Sequence, residues 1–309
     1  MNTPPKISVI IPSKNSEQTI RKTFDSLRYQ NYKNFECILV DGLSSDSTLD
    51  IAKEYNDILT KVLSEKDNSV AEAENKGIKL ATGDLISYLH SDDFYEPNML
   101  EEIANAYKTN KDFNIFSFGL SIQKLSNKKI TFSSCKKKNL ELKLDNILFK
   151  HPLGHFYKRS LFEKYGYNET TPSIGDDFYA NDREFLIRLC LNGEKNYVIE
   201  KVLYRMRSHQ NSNTLSRKNI EVIRYQHIDI AEKYMKKFFD HPYKYKKLYS
   251  FKIHNLSLLI SYYMLTLRMK KLTDTFKKGY KIRKILFFLD VILCPMKELK
   301  YRASVKKWF

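Results

Sequence analysis

The chain has 309 residues, of which 42% are hydrophobic and 29% charged, and this balance excludes a wholly disordered chain and a protein with many membrane spans. Its net charge of +17 lies at one end, because residues 216–309 carry 23 Lys or Arg against 7 Asp or Glu, whereas residues 1–215 carry 30 against 29. The four cysteines include no Cys-x-x-Cys pair, and the first residues show no apolar signal segment. We therefore expect neither a disulfide scaffold nor a cysteine-based zinc site. The expected location of the protein is the reducing cytoplasm.

Strands and helices are predicted to alternate over the first hundred residues. The first helix, capped by Ser16, carries Ile20, Phe24 and Leu27 on one face at helical spacing. Such alternation is typical of a parallel sheet with right-handed crossovers, in which ligands bind beyond the carboxyl ends of the strands. The predicted strands are 7–12, 35–40, 59–63 and 85–89, and the later helices are 48–55 and 71–81.

Past residue 98 the predicted elements are mixed, and after residue 216 only long basic helices are predicted. The predicted strands are 113–119, 154–158 and 198–204, with a hairpin within 121–132 and helices at 160–165 and 181–191. The fold class is therefore α/β. We expect a mostly parallel sheet with helices on both faces in residues 1–215, followed by a basic, mainly helical region at 216–309.

Polar side chains follow each of the first four strands. Asn15, Asp41 and Asp67 follow the first three, and the pair Asp92-Asp93 follows the fourth. Carboxylates gathered at one edge of a sheet repel each other, so a cation or a ligand rich in hydrogen-bond donors would stabilise them. A single one of them can equally be a helix cap. The adjacent pair suits a hard divalent cation that also binds a diphosphate, and such a site supports departure of a nucleoside diphosphate.

These polar positions belong to a longer series of motifs in the first hundred residues. The series consists of Ser8-Val9-Ile10-Ile11-Pro12 with Asn15, Val40-Asp41-Gly42 to Thr48, Glu65-Lys66-Asp67-Asn68, Asn75-Lys76-Gly77-Ile78, Ala81-Thr82-Gly83-Asp84, and Tyr88-Leu89-His90-Ser91-Asp92-Asp93 with Pro97. In this order the motifs resemble those of a family 2 glycosyltransferase with the GT-A fold, a group that assembles bacterial surface polysaccharides. A weaker likeness covers 151–209.

The resemblance implies a role for each matching residue. Asp41 would accept a hydrogen bond from the base, which in this family is most often uracil. Asp93 would bind Mn²⁺ or Mg²⁺, and its neighbour Asp92 would contact the ribose or the metal. The residues implied to line the nucleotide are Pro12, Asn15, Asp41, Asp67 and Asp92.

The resemblance also implies a general base near residue 182. The segment 180–186 resembles the family segment that supplies it, and Asp182 would start a helix whose partial positive charge keeps a carboxylate ionised. The alternative is that Asp182 only caps that helix. Asp176, Asp177 and Glu184 are near enough in the sequence to be alternatives for the base.

Several residues depart from the family pattern or stay open. Leu43 stands where the family usually has glycine, so the turn after the second strand is expected to differ, and His90 stands where the family often has Asp or Asn. Arg205 or Arg207 is expected to contact phosphate. His209 is either a further metal ligand or a surface histidine.

The basic region contains an apolar stripe of 15 uncharged residues at 253–267, which is shorter than the ~20 residues that span a bilayer. Together with the lysines of 277–307, it suits helices lying on an anionic membrane surface. Ordinary packing, on the catalytic region or on a second subunit, is the alternative for 256–267.

The function expected from these observations is an inverting, metal-dependent transfer of a sugar from a nucleoside diphosphate, with UDP as the expected nucleotide. The acceptor is expected to be a glycan or a lipid-linked molecule at the inner face of the cell membrane, and oligomerisation is left open. The alternative is a polyanion-binding protein that uses the basic region on nucleic acid, although that region has no zinc-finger spacing or RNA-binding aromatic signature.

Overall fold

The computed structural model describes residues 3–124, 127–149, 154–170, 180–208, 219–265 and 271. The described residues up to 208 form one compact unit, and those from 219 onward form another. The helical C-terminal region expected from the sequence is present, with two helices in its described part. The boundary at residue 215 stays a prediction.

In the described part of the first unit, nine strands form one sheet. The strands are β1 (Ile7–Ser13), β2 (Phe35–Asp41), β3 (Leu59–Ser64), β4 (Leu85–Tyr88), β5 (Phe94–Tyr95), β6 (Ile115–Lys124), β7 (Ile130–Ser134), β8 (His155–Lys158) and β9 (Asn196–Ser208). Their order is β3-β2-β1-β4-β8-β6-β9-β5, and β7 pairs with β6.

The first four strands form the parallel half that the sequence predicts. β1 pairs in parallel with β2 and β4, and β2 pairs in parallel with β3. Further along, β8 is antiparallel to both β4 and β6, whereas β6 and β9 are parallel. The sheet as a whole is therefore mixed, and its parallel half holds the predicted nucleotide-binding edge.

The helices of the first unit are α1 (Ile20–Arg28), α2 (Thr48–Lys53), α3 (Val70–Leu80), α4 (Met99–Thr109), α5 (Lys137–Leu140), α6 (Leu144–Phe149), α7 (Ser160–Tyr165) and α8 (Asn181–Leu191). α1 buries Ile20, Phe24 and Leu27, as predicted. The predicted cap is wrong, because α1 begins at Ile20 and the Ser16 hydroxyl lies 2.7 Å from the hydroxyl of Ser91 instead.

Most elements predicted past residue 98 are also present. The hairpin is confirmed, with Ile122 opposite Phe132, and α7 ends before Gly166, whose φ of +80° suits glycine. α8 has its predicted bounds. β9 is longer than the predicted strand and continues to Ser208. It pairs with β6 along most of its length, and its residues Tyr204 and Arg205 also pair with β5.

The second unit contains α9 (Ile220–Lys237) and α10 (Pro242–Leu265). The apolar stripe of α10 is buried and forms a core with Ile228 of α9, and the α10 residues in that core are Ile253, Leu256, Leu259, Ile260 and Tyr263. As far as residue 263, the stripe therefore packs on α9 of its own unit, a partner that neither expectation named. None of the described helices is both long and apolar enough to cross a membrane. The lysine-rich segment 277–307 lies outside the described residues.

Candidate active site

The carboxylate of Asp41 lies at the end of β2, directly opposite Ser13 in the register of β1 and β2. The residue is fully buried, and its Oδ2 accepts hydrogen bonds from the Ser44 backbone N–H at 2.9 Å and from the Ser64 hydroxyl at 2.8 Å. The Ser44 hydroxyl also donates to Oδ1. Since a carboxylate has about four lone-pair positions, one further donor could be accepted. The contact of Asp41 with the base stays a prediction.

Asn15 joins the loop after β1 to the turn after β2. Its Oδ1 accepts the backbone N–H of Ser45 at 2.8 Å, and its own N–H donates to the Ser44 hydroxyl at 2.8 Å. Leu43, in the same turn, has a φ of +57°. This is the left-handed conformation that a glycine adopts without strain, so the leucine is compatible with a glycine-type turn. The expectation that its presence changes the turn receives no support from this φ.

Asp67 lies against the same turn. A Cβ added to Gly42 would lie 2.5 Å from Oδ2 of Asp67, so a larger residue at this position would displace the Asp67 side chain. Burial raises the pKa of the Asp67 carboxyl, and the positive charges of Lys14 and Lys76 oppose this rise. The structure therefore brings Asn15, Asp41 and Asp67 to one edge of the sheet. Pro12 is buried within β1 beside Val40.

Ser13 is a member of this edge that the sequence did not single out. Its hydroxyl is buried and has no hydrogen-bond partner among the described residues. Buried hydroxyl groups are normally hydrogen-bonded, and an exception at a candidate binding site calls for an explanation. Its position opposite Asp41 would place an available donor and acceptor beside a bound nucleotide.

The acidic pair follows β4, and the protein holds its second member from two sides. Asp93 is 4% exposed, and its carboxylate accepts hydrogen bonds of 2.7 Å from the Tyr204 hydroxyl and from the Arg207 backbone N–H. Burial and the neighbouring charge of Asp92 raise the pKa of Asp93 to about 7, against the opposite effects of His90 and of these hydrogen bonds. Burial beside Asp92 therefore makes the charged form of Asp93 less stable than it would be in water.

Hydrogen bonds link the acidic pair to α1. Thr23 donates to the backbone oxygen of Asp93 at 2.7 Å, and the Arg207 guanidinium donates to the backbone oxygens of Asp92 and of Thr19, the latter at 3.0 Å. Burial lowers the pKa of Arg207, whereas both aspartates raise it. Arg205 and Arg207 are the two residues expected to contact phosphate, and of these Arg207 lies at the acidic pair.

Arg205 has a different environment, because its side chain forms an ion pair with Glu96. Lys22 is exposed on α1, and its ammonium group lies 4.0 Å from the ring centre of Phe94, the residue that follows Asp93. Its pKa is lowered by desolvation and by the charges of nearby basic groups, first among them Arg207. Lys22 and Arg207 therefore concentrate positive charge where a diphosphate is expected to bind.

Asp92 and Asp93 fit a hard divalent cation, provided that a ligand supplies the remaining oxygens. Their carboxylates are the ligand type that Mg²⁺ and Mn²⁺ prefer, and Mg²⁺ is commonly bound by one or two carboxylates with phosphate oxygens and waters. Asp93 accepts one hydrogen bond at each oxygen, so about two of its lone-pair positions are left. The described residues contain no group of three or more His, Cys, Asp or Glu that could hold a metal by itself.

Asp182 is exposed at the second position of α8, where the helix dipole favours a carboxylate. It also accepts the backbone N–H of Arg183 at 2.6 Å, so it satisfies one of the first-turn amides. Glu184 is fully buried and pairs with Arg188 at 2.7 Å, which makes it a poor candidate for the base. Asp176, Asp177 and His209 lie outside the described residues.

Glu74 of α3 connects the base candidate to the acidic pair, and the sequence analysis missed it. Its Oε2 accepts the side-chain amides of Asn168 and Asn181, each at 2.8 Å, and its Oε1 lies 3.5 Å from Nε2 of His90. Burial raises the pKa of Glu74, although His90 and Asn181 oppose the rise. Desolvation lowers the pKa of His90, but Glu74 and the two aspartates outweigh this effect and raise it to about 9. Since Asn181 precedes Asp182, this network holds the start of α8 beside the loop after β4.

Solved structures resemble this fold. The crystal structure of S. aureus TarS 1–349 in complex with UDP-GlcNAc superposes on this chain with a TM-score of 0.65 at 20% identity, covering 89% of this chain and 91% of that one. The mannosyltransferase PcManGT from Pyrobaculum calidifontis, in complex with GDP-Man and Mn²⁺, has a TM-score of 0.55 at 15% identity, covering 96% and 88%. The fold and the acidic edge of its sheet define a protein of the GT-A class.

A sequence model described as Glycosyl transferase family 2 matches residues 8–166. The chain belongs to this family, and the resemblance stated from its motifs is confirmed. Glycosyltransferase GlyA of Streptococcus pneumoniae is 27% identical over 223 residues, which are 67% of this chain and 31% of the relative. The chain spans between 31% and 62% of the length of the curated relatives it matches.

Proposed function

We propose that this protein is an inverting glycosyltransferase that moves a sugar from a nucleoside diphosphate, in the first place UDP, to a hydroxyl of a glycan or lipid-linked acceptor in bacterial surface polysaccharide synthesis. Family membership supports the reaction class, and the TarS structure with UDP-GlcNAc supports the choice of donor. The observation that carries the proposal is the buried Asp93 beside Asp92, with Arg207 hydrogen-bonded to both residues and Lys22 over the ring of the neighbouring Phe94.

In this proposal the two halves of the donor bind to different groups. Asn15, Asp41 and Asp67, with Pro12 beside them, bind the nucleoside. Lys22 and Arg207 face the diphosphate. Asp92 and Asp93 would hold Mn²⁺ or Mg²⁺, which stabilises negative charge on the departing diphosphate when it is bound.

Asp182 would act as the general base. It accepts the proton of the acceptor hydroxyl while that oxygen forms a bond to the anomeric carbon and the bond from this carbon to the diphosphate oxygen breaks. The nucleoside diphosphate leaves from the opposite face, so the configuration inverts. Glu74 supports this step by holding Asn181 and thereby the start of α8.

We further propose that the enzyme acts at the inner face of the cell membrane, bound to anionic lipid through its basic C-terminal region. Residues 216–309 carry 23 basic and 7 acidic side chains, which supports this location because the anionic cytoplasmic leaflet of the membrane attracts a basic region. A lipid-linked acceptor would then be within reach of a protein whose described helices do not cross the bilayer.

The donor and metal assignments are tested by calorimetry with UDP, with and without Mn²⁺, together with turnover of a panel of UDP-, GDP- and dTDP-sugars. We expect metal-dependent UDP binding that Asp93→Asn abolishes, whereas Asp57→Asn, which removes an exposed carboxylate paired with Arg28, leaves it unchanged. Binding of a random oligonucleotide at physiological salt without any binding of UDP would favour the polyanion-binding alternative.

The base assignment has a separate test. Asp182→Asn should leave the affinity for UDP nearly unchanged and lower kcat by about two orders of magnitude, within the usual contribution of a general base. A loss of less than about fivefold would contradict the role of Asp182 and would direct the search to Asp176 and Asp177.

A further inference from the structure

The connection between α9 and α10 exposes aromatic side chains to solvent. α9 ends at Lys237 and α10 begins at Pro242, and we call residues 236–247 the hairpin tip. Phe239 is 76% exposed, Tyr243 57% and Tyr245 37%. Other aromatic residues of the same two helices are buried in their core. Three exposed aromatic side chains within seven residues make this connection a candidate interaction surface.

Lysines surround these aromatic side chains. The hairpin tip contains five lysines and one acidic residue, Asp240, and the lysines are Lys236, Lys237, Lys244, Lys246 and Lys247. The ammonium group of Lys244 lies 4.5 Å from the ring centre of Phe238, and that of Lys247 lies 5.6 Å from that of Tyr243. The tip is therefore both basic and aromatic over a stretch of only twelve residues.

We propose that the hairpin tip is the surface by which this protein docks on an anionic lipid bilayer, an inference that rests on the membrane association proposed above. Aromatic rings favour the headgroup region of a bilayer, and lysines next to them attract anionic headgroups. The apolar stripe of α10 cannot take this role as far as Tyr263, because it is buried against α9. Phe239 and Tyr243 enter the interface, and the exposed lysines contact lipid phosphates.

A nucleic acid is the other polyanion that such a surface could meet. Two features favour lipid. The tip has no arginine, the residue that most often combines phosphate contact with base stacking. Its most exposed aromatic residue is Phe239, whose wholly apolar ring gains most from leaving water for the acyl boundary.

The charge contribution is tested with the full-length chain by co-sedimentation with vesicles of phosphatidylcholine, with and without phosphatidylglycerol. The variant Lys236→Gln/Lys237→Gln/Lys246→Gln should bind anionic vesicles about 10²-fold more weakly than the unmodified chain, since each lysine near the surface contributes about one kcal/mol. The matched control Lys129→Gln/Lys136→Gln/Lys195→Gln removes the same charge from exposed positions of the first unit and should lose less than about threefold.

Insertion is tested by fluorescence. The chain has a single tryptophan, Trp308, so Phe239→Trp in a Trp308→Phe background reports on the tip alone. Its emission should shift to the blue with phosphatidylglycerol vesicles and not with phosphatidylcholine vesicles. Thermal melting of each variant checks that α9 and α10 still fold.

The outcomes separate this inference from the proposals on which it builds. Equal vesicle binding by the tip variant and the control variant would overturn the inference, while leaving membrane association intact. If the unmodified chain fails to bind anionic vesicles, both membrane statements are wrong. If a random oligonucleotide displaces the unmodified chain from vesicles at physiological salt, and the tip variant no longer binds this oligonucleotide, the ligand of the hairpin tip is nucleic acid. Donor turnover with a water-soluble acceptor should be the same in all variants, so the transferase proposal is judged separately.

Discussion

Replacing Glu74 by glutamine is expected to slow the proposed transfer without weakening nucleotide binding. Oε2 of Glu74 accepts the amides of Asn168 and Asn181 at 2.8 Å each, and Asn181 precedes Asp182 at the start of α8. Glutamine has nearly the same size but only one side-chain oxygen, so its NH₂ group must face either these two amides or His90.

The structure gives the size of the effect. A hydrogen bond to a charged group contributes about 1.5–3 kcal/mol, and weakening two of them predicts a loss of roughly 3–6 kcal/mol. Removing a buried negative charge offsets part of this loss, so we expect a net decrease of about 1–3 kcal/mol in the free energy of unfolding. A displacement of Asp182 of about 1 Å would lower kcat by roughly 10²-fold. The KM for the donor should change by less than about threefold, because Glu74 makes no described contact with the nucleotide edge.

Urea unfolding and initial rates measured against donor concentration provide the two readouts. Glu101→Gln is the control, because Glu101 is an exposed glutamate on α4, and its replacement should change stability by no more than about 0.5 kcal/mol. Wild-type kcat in a folded Glu74→Gln protein would refute the positioning role. A loss of stability with unchanged kcat would leave Glu74 a purely structural residue.

Two further substitutions test the nucleotide edge of the sheet and the opposite end of β2, where Glu36 lies. Ser13→Ala removes a buried hydroxyl without a partner among the described residues, so UDP affinity should fall about tenfold while thermal stability stays the same or rises; unchanged affinity would exclude contact with the nucleotide. Although burial opposes it, hydrogen bonds from Lys6, Ser8 and Thr82 lower the pKa of Glu36 to about 2. The pKa in the unfolded chain is about 4.3, so this carboxylate contributes roughly 3 kcal/mol above pH 4.3, and the contribution is lost as the pH falls toward 2. Glu36→Gln should therefore destabilise the protein by about this amount at pH 7 and very little at pH 2, which urea unfolding at both values measures.

The sequence was sufficient for β1, β2 and β4 of the parallel half because nearly all of their residues are buried, on both faces of the sheet. Every residue of Ile7–Ser13 is buried, and such a strand reads as a continuous apolar run. The position of β8 could not be predicted in the same way. His155–Lys158 lies between β4 and β6 and runs antiparallel to both, and a four-residue run carries no information about its neighbours or their direction.

The same distinction applies to the candidate site. Asn15, Asp41 and Asp67 were predicted because each follows a strand and matches a family motif. Tyr204 and Glu74 were missed because their roles come from partners distant in the sequence, 111 residues away for the Tyr204–Asp93 hydrogen bond and 107 for the Glu74–Asn181 hydrogen bond. Within the sequence, Glu74 is only a polar residue on an amphipathic helix, a position that usually faces solvent.

The charges around the acidic pair suggest why binding of a metal and a diphosphate together would be favourable. Asp93 has a raised pKa because it is buried beside Asp92, and desolvation lowers the pKa of the buried Arg207 although both aspartates raise it. The carboxylate and the guanidinium are therefore both less stable as charged groups than they would be in water. A divalent cation would stabilise the carboxylates, and a diphosphate would stabilise the guanidinium, so each ligand improves the environment of one charged group. UDP and Mn²⁺ should consequently bind more tightly together than either binds alone, and calorimetric affinities that are independent of each other would contradict this account.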